Sequence, residues 1–307
     1  MRIAVMGAGG VGGYFGARLA AAGEDVAIVA RGRHLDAIRA EGLKVASSAG
    51  DLTVRPEVAS DPTEIGPVDA VLFAVKLWDT ESAGAMLGPL LGPTTAVFTF
   101  QNGVDSVPVL SRLLGPERVV GGVAYISAFI ERPGLIRHVG TGAKLAFGEA
   151  DGGRSGRVVA LSDALARAGV DHEVTDAIDR AIWAKFVLLA AFSGLTALTR
   201  RPAADVRDNP ETRALFEDAA AEVAAIAAAE GVALPADVVA RTVATLDRLP
   251  PEMKASMCHD LERGGRLELP WLSGALVRLG RQHGIPTPVH RAINAALVLW
   301  QDGGDQS

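Results

Sequence analysis

The fold is decided by ten residues near the N-terminus, Ile3-Ala4-Val5-Met6-Gly7-Ala8-Gly9-Gly10-Val11-Gly12. The apolar residues 3–6 predict a strand buried on both faces, and residues 11–22 predict a helix that ends before Gly23. The glycines between them fit the pattern G-x-G-x-x-G at the point where a strand turns into a helix. This arrangement is typical of the first unit of an α/β fold in which helices cover a parallel sheet.

Each glycine of the pattern has its own physical reason. Gly7 permits a tight turn, Gly9 lets the backbone approach a pyrophosphate, and Gly12 lets the helix pack closely on the strand. The N-terminal end of the helix carries a partial positive charge that favours phosphate. We therefore predict that the loop binds a dinucleotide through Gly7, Ala8, Gly9, Gly10, Val11 and Gly12. A glycine-rich turn without a ligand is the alternative.

The end of the second predicted strand, residues 25–30, selects the dinucleotide. An NAD-binding fold usually places Asp or Glu about 20 residues after the glycine motif, where it holds the ribose 2′-hydroxyl. Here Ala30 occupies that place, and Arg31-Gly32-Arg33 follows. Because no carboxylate would repel a 2′-phosphate and Arg31 could bind it with two hydrogen bonds, we predict NADP(H) as the cofactor. Ordinary solvated charges at Arg31 and Arg33 are the alternative.

The rest of the chain separates into two patterns. Apolar runs typical of buried parallel strands occupy residues 68–75, 96–100 and 119–123, a helix is predicted over 34–40, and the glycine-rich residues 129–147 alternate like antiparallel strands. After about residue 176 only helices are predicted, over residues 210–230 with Asn209 as N-cap, 251–263, 270–283 and 288–301. Residues 303–307 are expected to be a frayed tail.

These patterns predict a Rossmann-type NADP-binding domain over residues 1–176 and an all-helical substrate and dimerisation domain over residues 177–307. The fold class is therefore α/β followed by an all-helical domain, with the active site expected between the two domains. A single large α/β domain is the alternative at this length.

Composition and charge exclude several classes of protein. The 307 residues carry 30 Lys and Arg against 36 Asp and Glu, a net charge of −6, which disfavours nucleic acid and anionic membranes as partners. The longest apolar run, residues 186–198, is shorter than the ~20 residues of a membrane span and predicts a buried helix. One cysteine and six histidines without close spacing predict neither a disulfide nor a metal site. A cytoplasmic location is expected, and a homodimer formed through the apolar helical half is compatible with the sequence.

Three short motifs downstream give the chain a family resemblance. With Lys76 after a strand, Gln101-Asn102-Gly103, and Trp183-Ala184-Lys185, the chain resembles the ketopantoate reductase family over nearly its whole length, through Ser256 to Arg266-Leu267-Glu268. Those enzymes, the 2-dehydropantoate 2-reductases of pantothenate biosynthesis, make pantoate from ketopantoate with NADPH. The ordered set of motifs is much more specific than the glycines alone.

The resemblance implies a role for each matching residue. Lys185 matches the general acid that protonates the carbonyl oxygen as hydride arrives, and Glu268 matches the carboxylate that assists it. Asn102 and Lys76 match residues between nicotinamide and substrate, and Ser256 matches a contact to the substrate carboxylate.

Two positions on the Lys185 helix depart from the family pattern. Leu189 and Ser193 stand where the family has asparagines, four and eight residues after the lysine. Because positions four residues apart share a helix face, both are expected to line the substrate wall. The loss of an amide at position 189 puts the identity of the substrate in question.

The residues themselves support this chemistry. Hydride addition to a ketone develops negative charge on oxygen, which needs a proton donor. Lys185 precedes the apolar residues 186–191, and desolvation lowers the pKa of a lysine, while a carboxylate such as Glu268 raises it. A lysine extending from a buried helix to solvent is the alternative for Lys185. For Asn102 the alternative is an ordinary Asn-Gly turn, and for Lys76, Ser256 and Glu268 it is a plain surface group.

We therefore predict an NADP-dependent 2-keto acid reductase that acts on ketopantoate. The alternative within the same superfamily is a D-2-hydroxyacid dehydrogenase acting on branched or aromatic 2-keto acids such as benzoylformate. A non-catalytic NADP(H) sensor is a further alternative, which the presence of both Lys185 and Glu268 disfavours.

Overall fold

A ten-stranded sheet forms the centre of the first of two units into which the chain divides, one running from Met1 to Ile178 and the other beginning at Asp179. The structure, a computed structural model, describes residues 1–304. Three of the five residues in the predicted frayed tail, 305–307, therefore lie outside the described residues. The other two are tied down, since Gly303 N–H and Gly304 N–H donate to the carbonyls of Trp300 and Gly264.

The first unit contains five helices among its strands. The strands are β1 (Arg2–Met6), β2 (Asp25–Val29), β3 (Leu43–Ala46), β4 (Leu52–Val54), β5 (Glu57–Ala59), β6 (Val68–Phe73), β7 (Leu91–Thr99), β8 (Val119–Arg132), β9 (Leu135–Gly148) and β10 (Asp171–Val174). The helices are α1 (Gly10–Ala21), α2 (Gly32–Glu41), α3 (Thr80–Ala85), α4 (Ser106–Leu114) and α5 (Gly156–Arg167).

The strand order places the glycine motif at the middle of a parallel region. The order is β4-β3-β9-β8-β7-β6-β1-β2-β5, with β10 beside β9, and the neighbours from β8 to β5 are parallel. The carboxyl ends of β7, β6, β1 and β2 therefore follow one another along one edge of the sheet, about 5 Å apart. The predicted Rossmann-type fold is confirmed, and ligands of such sheets bind at this edge.

The antiparallel part of the sheet is longer than predicted. β8 and β9 pair as one hairpin from Gly121 opposite Gly148 to Arg132 opposite Leu135. The prediction began these antiparallel strands at residue 129 and treated 119–123 as a separate strand. It was wrong because β8 pairs parallel with β7 at its start and antiparallel with β9 from residue 121 on, in one continuous strand.

The second unit is helical. Its helices are α6 (Ile178–Thr199), α7 (Ala203–Asp208), α8 (Pro210–Ala229), α9 (Val238–Leu246), α10 (Ser256–Glu262), α11 (Ser273–His283) and α12 (Pro288–Leu297). Asn209 caps α8 as predicted, with its side-chain oxygen accepting from the N–H groups of Glu211 and Thr212. Gly284 ends α11 in the left-handed conformation.

Two predicted helices have different bounds. The helix expected from Pro251 begins only at Ser256, because the carbonyls of Pro251 and Met253 accept from the first N–H groups of α7 instead of continuing a helix. The helix expected over residues 288–301 ends at Leu297 and tightens into a 3₁₀ turn, Val298–Trp300.

Helix α6 is the central apolar helix of its unit. Among residues 1–304 it alone is long and apolar enough to cross a membrane by length and composition, but 61% of its most apolar stretch is buried within the protein. Phe186, Val187, Ala190 and Leu195 are almost fully buried. These are the properties of a core helix, as the sequence predicted for residues 186–198.

Candidate active site

The three glycines of the motif have different surroundings, which match their predicted roles. Gly7 has a φ of 100°, and a Cβ there would lie 2.9 Å from Val75 Cγ1. A Cβ on Gly12 would lie 2.1 Å from the Gly7 carbonyl oxygen, so the backbone of α1 packs directly against the backbone of the loop. A Cβ on Gly9 would meet no atom within 4 Å. Gly7 and Gly12 are therefore required by packing, whereas Gly9 faces open space at the start of α1, as a pyrophosphate-binding backbone must.

Arg31, which follows β2, lies at the same edge of the sheet. Its guanidinium is 81% exposed and pairs with the carboxylate of Asp79, which is 21% exposed and follows β6. Ala30, at the end of β2, is buried. The acidic group that β2 itself lacks is therefore supplied by a neighbouring loop. Sequence reasoning missed Asp79, because nothing near residue 31 in the chain signals a partner 48 positions away.

Lys76 and Asn102 follow the neighbouring strands β6 and β7. The exposed Lys76 ammonium lies 5.4 Å from the centre of the Trp78 ring. Gln101, which is buried, donates through Nε2 to the Val75 carbonyl at 2.9 Å and to Thr80 Oγ1 at 2.9 Å. These bonds join the loops that carry Lys76 and Asn102. Gln101 is thus a positioning residue, and the sequence identified it only as part of a motif.

Lys185 and Glu268 interact electrostatically in the helical unit. Burial of Lys185 on α6 lowers its pKa from 10.5 to about 8, and the negative charge of Glu268 opposes this by raising it. Glu268 is buried and directly precedes the 3₁₀ turn Leu269–Trp271. A lysine with this pKa holds a proton at neutral pH and releases it readily, as a general acid must.

The remaining predicted substrate residues also lie in this unit. Leu189 is half-buried on α6, one turn after Lys185. Ser193 is fully buried, and in the part of the chain that the structure describes its hydroxyl has no hydrogen-bond partner. Ser256, the exposed first residue of α10, is held near α6 because Ala255 N–H donates to Thr196 Oγ1 at 3.4 Å.

Comparison with known proteins decides the family. The family model of ketopantoate reductase PanE/ApbA matches residues 3–152, and the model of its C-terminal part matches residues 177–299. The chain belongs to the ketopantoate reductase family. The predicted resemblance is confirmed, and this family member is an oxidoreductase that depends on a dinucleotide.

Individual members of the family are similar to this reductase along their whole length. It is 37% identical over 320 residues to a 2-dehydropantoate 2-reductase of Mesorhizobium japonicum, a match that covers 97% of this chain and 96% of the relative. The structure of 2-dehydropantoate 2-reductase from Geobacter metallireducens has a TM-score of 0.90 at 34% identity and covers 97% of this chain and 99% of that one. D-mandelate dehydrogenase, solved with NADH and anilino(oxo)acetate, shares the fold with a TM-score of 0.89 at 22% identity, covering 98% of each chain.

Proposed function

We propose that this reductase converts ketopantoate to pantoate with NADPH, using Lys185 as the general acid. The observation that carries the proposal is the lowered pKa of Lys185. Burial lowers this pKa to about 8, and the charge of Glu268 keeps it from falling further. Within the family, the relative from Mesorhizobium japonicum is named for this reaction. The unit that begins at Asp179 then serves as the substrate and dimerisation domain, and the protein acts as a cytoplasmic enzyme on a small 2-keto acid.

The order of strands along the sheet edge supports a proposal for where each part of the cofactor binds. Arg31 follows β2, the glycine loop follows β1, Lys76 follows β6 and Asn102 follows β7. Arg31 would therefore hold a 2′-phosphate, and the glycine loop would hold the pyrophosphate at the α1 N-terminus. Lys76 and Asn102 would contact the nicotinamide end. NADPH, when bound, supplies the hydride.

The chain's own residues supply the proton and hold the substrate. Lys185 Nζ donates its proton to the carbonyl oxygen of the keto acid, which becomes the hydroxyl oxygen of the product. Glu268 holds the ammonium in place and favours its charged form. Ser256 contacts the substrate carboxylate through its hydroxyl.

A second substrate class is favoured by one specific observation. Leu189 presents an apolar side chain one turn from Lys185, where an amide would bind the hydroxyl of ketopantoate. An apolar wall accepts branched or aromatic side chains and discriminates weakly among them. A D-2-hydroxyacid dehydrogenase acting on such 2-keto acids is therefore the alternative function.

A panel of substrates tests the proposal. NADPH oxidation is followed by absorbance with ketopantoate, an unhydroxylated branched keto acid and benzoylformate. We expect the highest kcat/KM with ketopantoate. We also expect Lys185→Ala to lower kcat by about 10²- to 10⁴-fold while NADPH still binds. Binding of NADPH without turnover of any keto acid would identify a sensor instead. A normal kcat in Lys185→Ala would mean that another residue is the general acid.

A further inference from the structure

His34, on α2, joins the glycine loop to the tip of the β8–β9 hairpin. Its Nε2 lies 2.9 Å from the carbonyl oxygen of Ala8, inside the glycine motif. Its Nδ1 lies 3.0 Å from the backbone nitrogen of Gly134, in the turn between the two strands. The ring is half-buried, and both of its nitrogens are engaged by backbone.

These two contacts determine the tautomer of the ring. A carbonyl oxygen can only accept, so Nε2 carries the hydrogen and donates it to Ala8. A backbone N–H can only donate, so Nδ1 of His34 is unprotonated and accepts from Gly134. Burial lowers the pKa of His34, which favours this neutral form. The ring is thus a link with one fixed donor end and one fixed acceptor end.

The hairpin end of this link is itself held in place. The Gly134 carbonyl accepts from Lys44 N–H at 2.9 Å, and a Cβ on Gly134, whose φ is 79°, would lie 3.1 Å from Ala37 Cβ on α2. The turn therefore packs against α2, and its N–H fixes the orientation of the His34 ring relative to that helix.

The loop end of the link fixes a peptide plane. Because a trans peptide is planar, the N–H of Gly9 points opposite to the carbonyl of Ala8. With that carbonyl drawn toward His34, the Gly9 N–H points away from α2. It has no acceptor among the residues that the structure describes, and Gly9 itself faces open space.

We propose that His34 is a positioning residue for the dinucleotide: it holds the Ala8 carbonyl on the protein side of the loop, so that the backbone N–H of Gly9 faces the pyrophosphate. This inference rests on the proposed cofactor site and adds to it a residue outside the glycine motif. A flipped Ala8–Gly9 peptide would present a carbonyl oxygen to the pyrophosphate, which is repulsive.

Three substitutions separate the two ends of the link. In His34→Gln the amide nitrogen can take the place of Nε2 and still donate to Ala8. In His34→Asn the shorter side chain can reach Gly134 but not Ala8, and His34→Ala removes both bonds. His172→Ala is the matched control, because His172 lies in the same unit and its nitrogens pair with Ser162 Oγ and the Val170 carbonyl, away from the glycine loop.

The readouts are dissociation constants for NADPH and NADH and for adenosine 2′-monophosphate, which lacks a pyrophosphate. We expect His34→Asn and His34→Ala to weaken NADPH and NADH about 10- to 100-fold, in the same proportion, because the charge-assisted hydrogen bond from Gly9 N–H to the pyrophosphate is lost. His34→Gln and His172→Ala should stay near wild type. Adenosine 2′-monophosphate should bind all variants alike, and kcat at saturating NADPH should change little.

Each contrary result has a definite meaning. Wild-type affinity for NADPH in His34→Asn would overturn the inference, as would an equal loss of adenosine 2′-monophosphate, which would indicate a general distortion of the unit. If the wild-type protein itself binds neither NADPH nor NADH, the proposed cofactor site fails and the inference fails with it. An NADPH-specific loss would belong to the 2′-phosphate contact and would also contradict the inference.

Discussion

Lys185 is expected to give the reaction a pH dependence that an ordinary lysine would not. Its pKa of about 8, against 10.5 for a solvated lysine, means that the protonated form required for reduction is lost above about pH 8. The kcat/KM for keto acid reduction should therefore fall about tenfold per pH unit above that point. Oxidation of the hydroxy acid requires the neutral amine and should rise over the same range. Initial rates in both directions from pH 6 to 10 measure this.

Glu268→Gln provides the control for that profile. The charge of Glu268 raises the pKa of Lys185, so its removal should move the break in the reduction profile to lower pH. Lys185→Arg should show no break near pH 8, because a guanidinium keeps its proton throughout this range. A break that stays in place in Glu268→Gln would mean that another group titrates.

The ion pair between Arg31 and Asp79 leads to a prediction about cofactor choice. Arg31→Ala should weaken NADPH binding about 10- to 150-fold and leave NADH almost unchanged, because only NADPH has a 2′-phosphate. Asp79→Asn should strengthen NADPH binding, but only about 1.5- to 5-fold, since exposed ion pairs contribute ~0.2–1 kcal/mol. Titration of each variant with both cofactors measures the ratio. Equal losses for the two cofactors in Arg31→Ala would refute the assignment.

Whether the role of a single residue can be predicted from the sequence depends on how far along the chain its partner lies. The glycines are recognisable because Gly7, Gly9 and Gly12 recur within six positions of the chain, between an apolar strand and a helix. Asp79, Gln101 and His34 act through partners 48, 26 and 26 positions away, and no local pattern reports such contacts. The roles of Lys185 and Glu268 were predicted from the family resemblance, and the pH profiles of wild type, Lys185→Arg and Glu268→Gln test them.

Helix α6 should determine substrate selectivity through one face. Leu189 stands one turn after Lys185, and the buried hydroxyl of Ser193 stands one turn further, without a partner among residues 1–304. Leu189→Asn should raise kcat/KM for ketopantoate relative to an unhydroxylated branched keto acid, with ~1–3 kcal/mol at stake if the new amide bonds the hydroxyl. The ratio of the two kcat/KM values is the measurement, and Leu189→Met is the apolar control. An unchanged ratio would mean that position 189 does not face the substrate.

The elements that were predicted correctly are those with a strong period or a clear cap. α8 is an example, with Asn209 and Pro210 at its start. The missed strands β3, β4, β5 and β10 have only three or four residues each, too few to show an alternation. β3, β5 and β10 also pair with strands far away in sequence, and β4, at the edge of the sheet, pairs with β3. The helix predicted from Pro251 was placed too early for a related reason, because its first carbonyls bind α7. Tertiary hydrogen bonds decided both cases.

A buried polar network bears on the stability of the whole molecule. His290, at the start of α12, is fully buried; its Nε2 donates to the Ala219 carbonyl of α8 and its Nδ1 accepts from Ser273 Oγ of α11, both at 3.1 Å. The Glu222 carboxylate accepts from the N–H groups of Val289 and His290. Three helices therefore meet at an imidazole that must stay neutral, and burial lowers the pKa of His290 to about 4.

Acid should therefore destabilise the protein well above the pH at which carboxylates titrate. The unfolded chain protonates His290 below about pH 6.5, whereas the folded chain does not until about pH 4, so stability falls as pH decreases through this window. The free energy of unfolding should drop by about 2 kcal/mol between pH 7 and pH 5 from this residue alone. Burial raises the pKa of Glu222, which acts in the opposite direction, so the comparison must isolate His290. The variant His290→Gln can still donate to the Ala219 carbonyl but has no imidazole to titrate. Its free energy of unfolding, measured with urea at pH 7 and pH 5, should lack the decrease that His290 causes in the wild type. This comparison holds whatever the stability of the variant at pH 7. An equal drop in variant and wild type would show that His290 takes up its proton in the folded state as easily as in the unfolded chain.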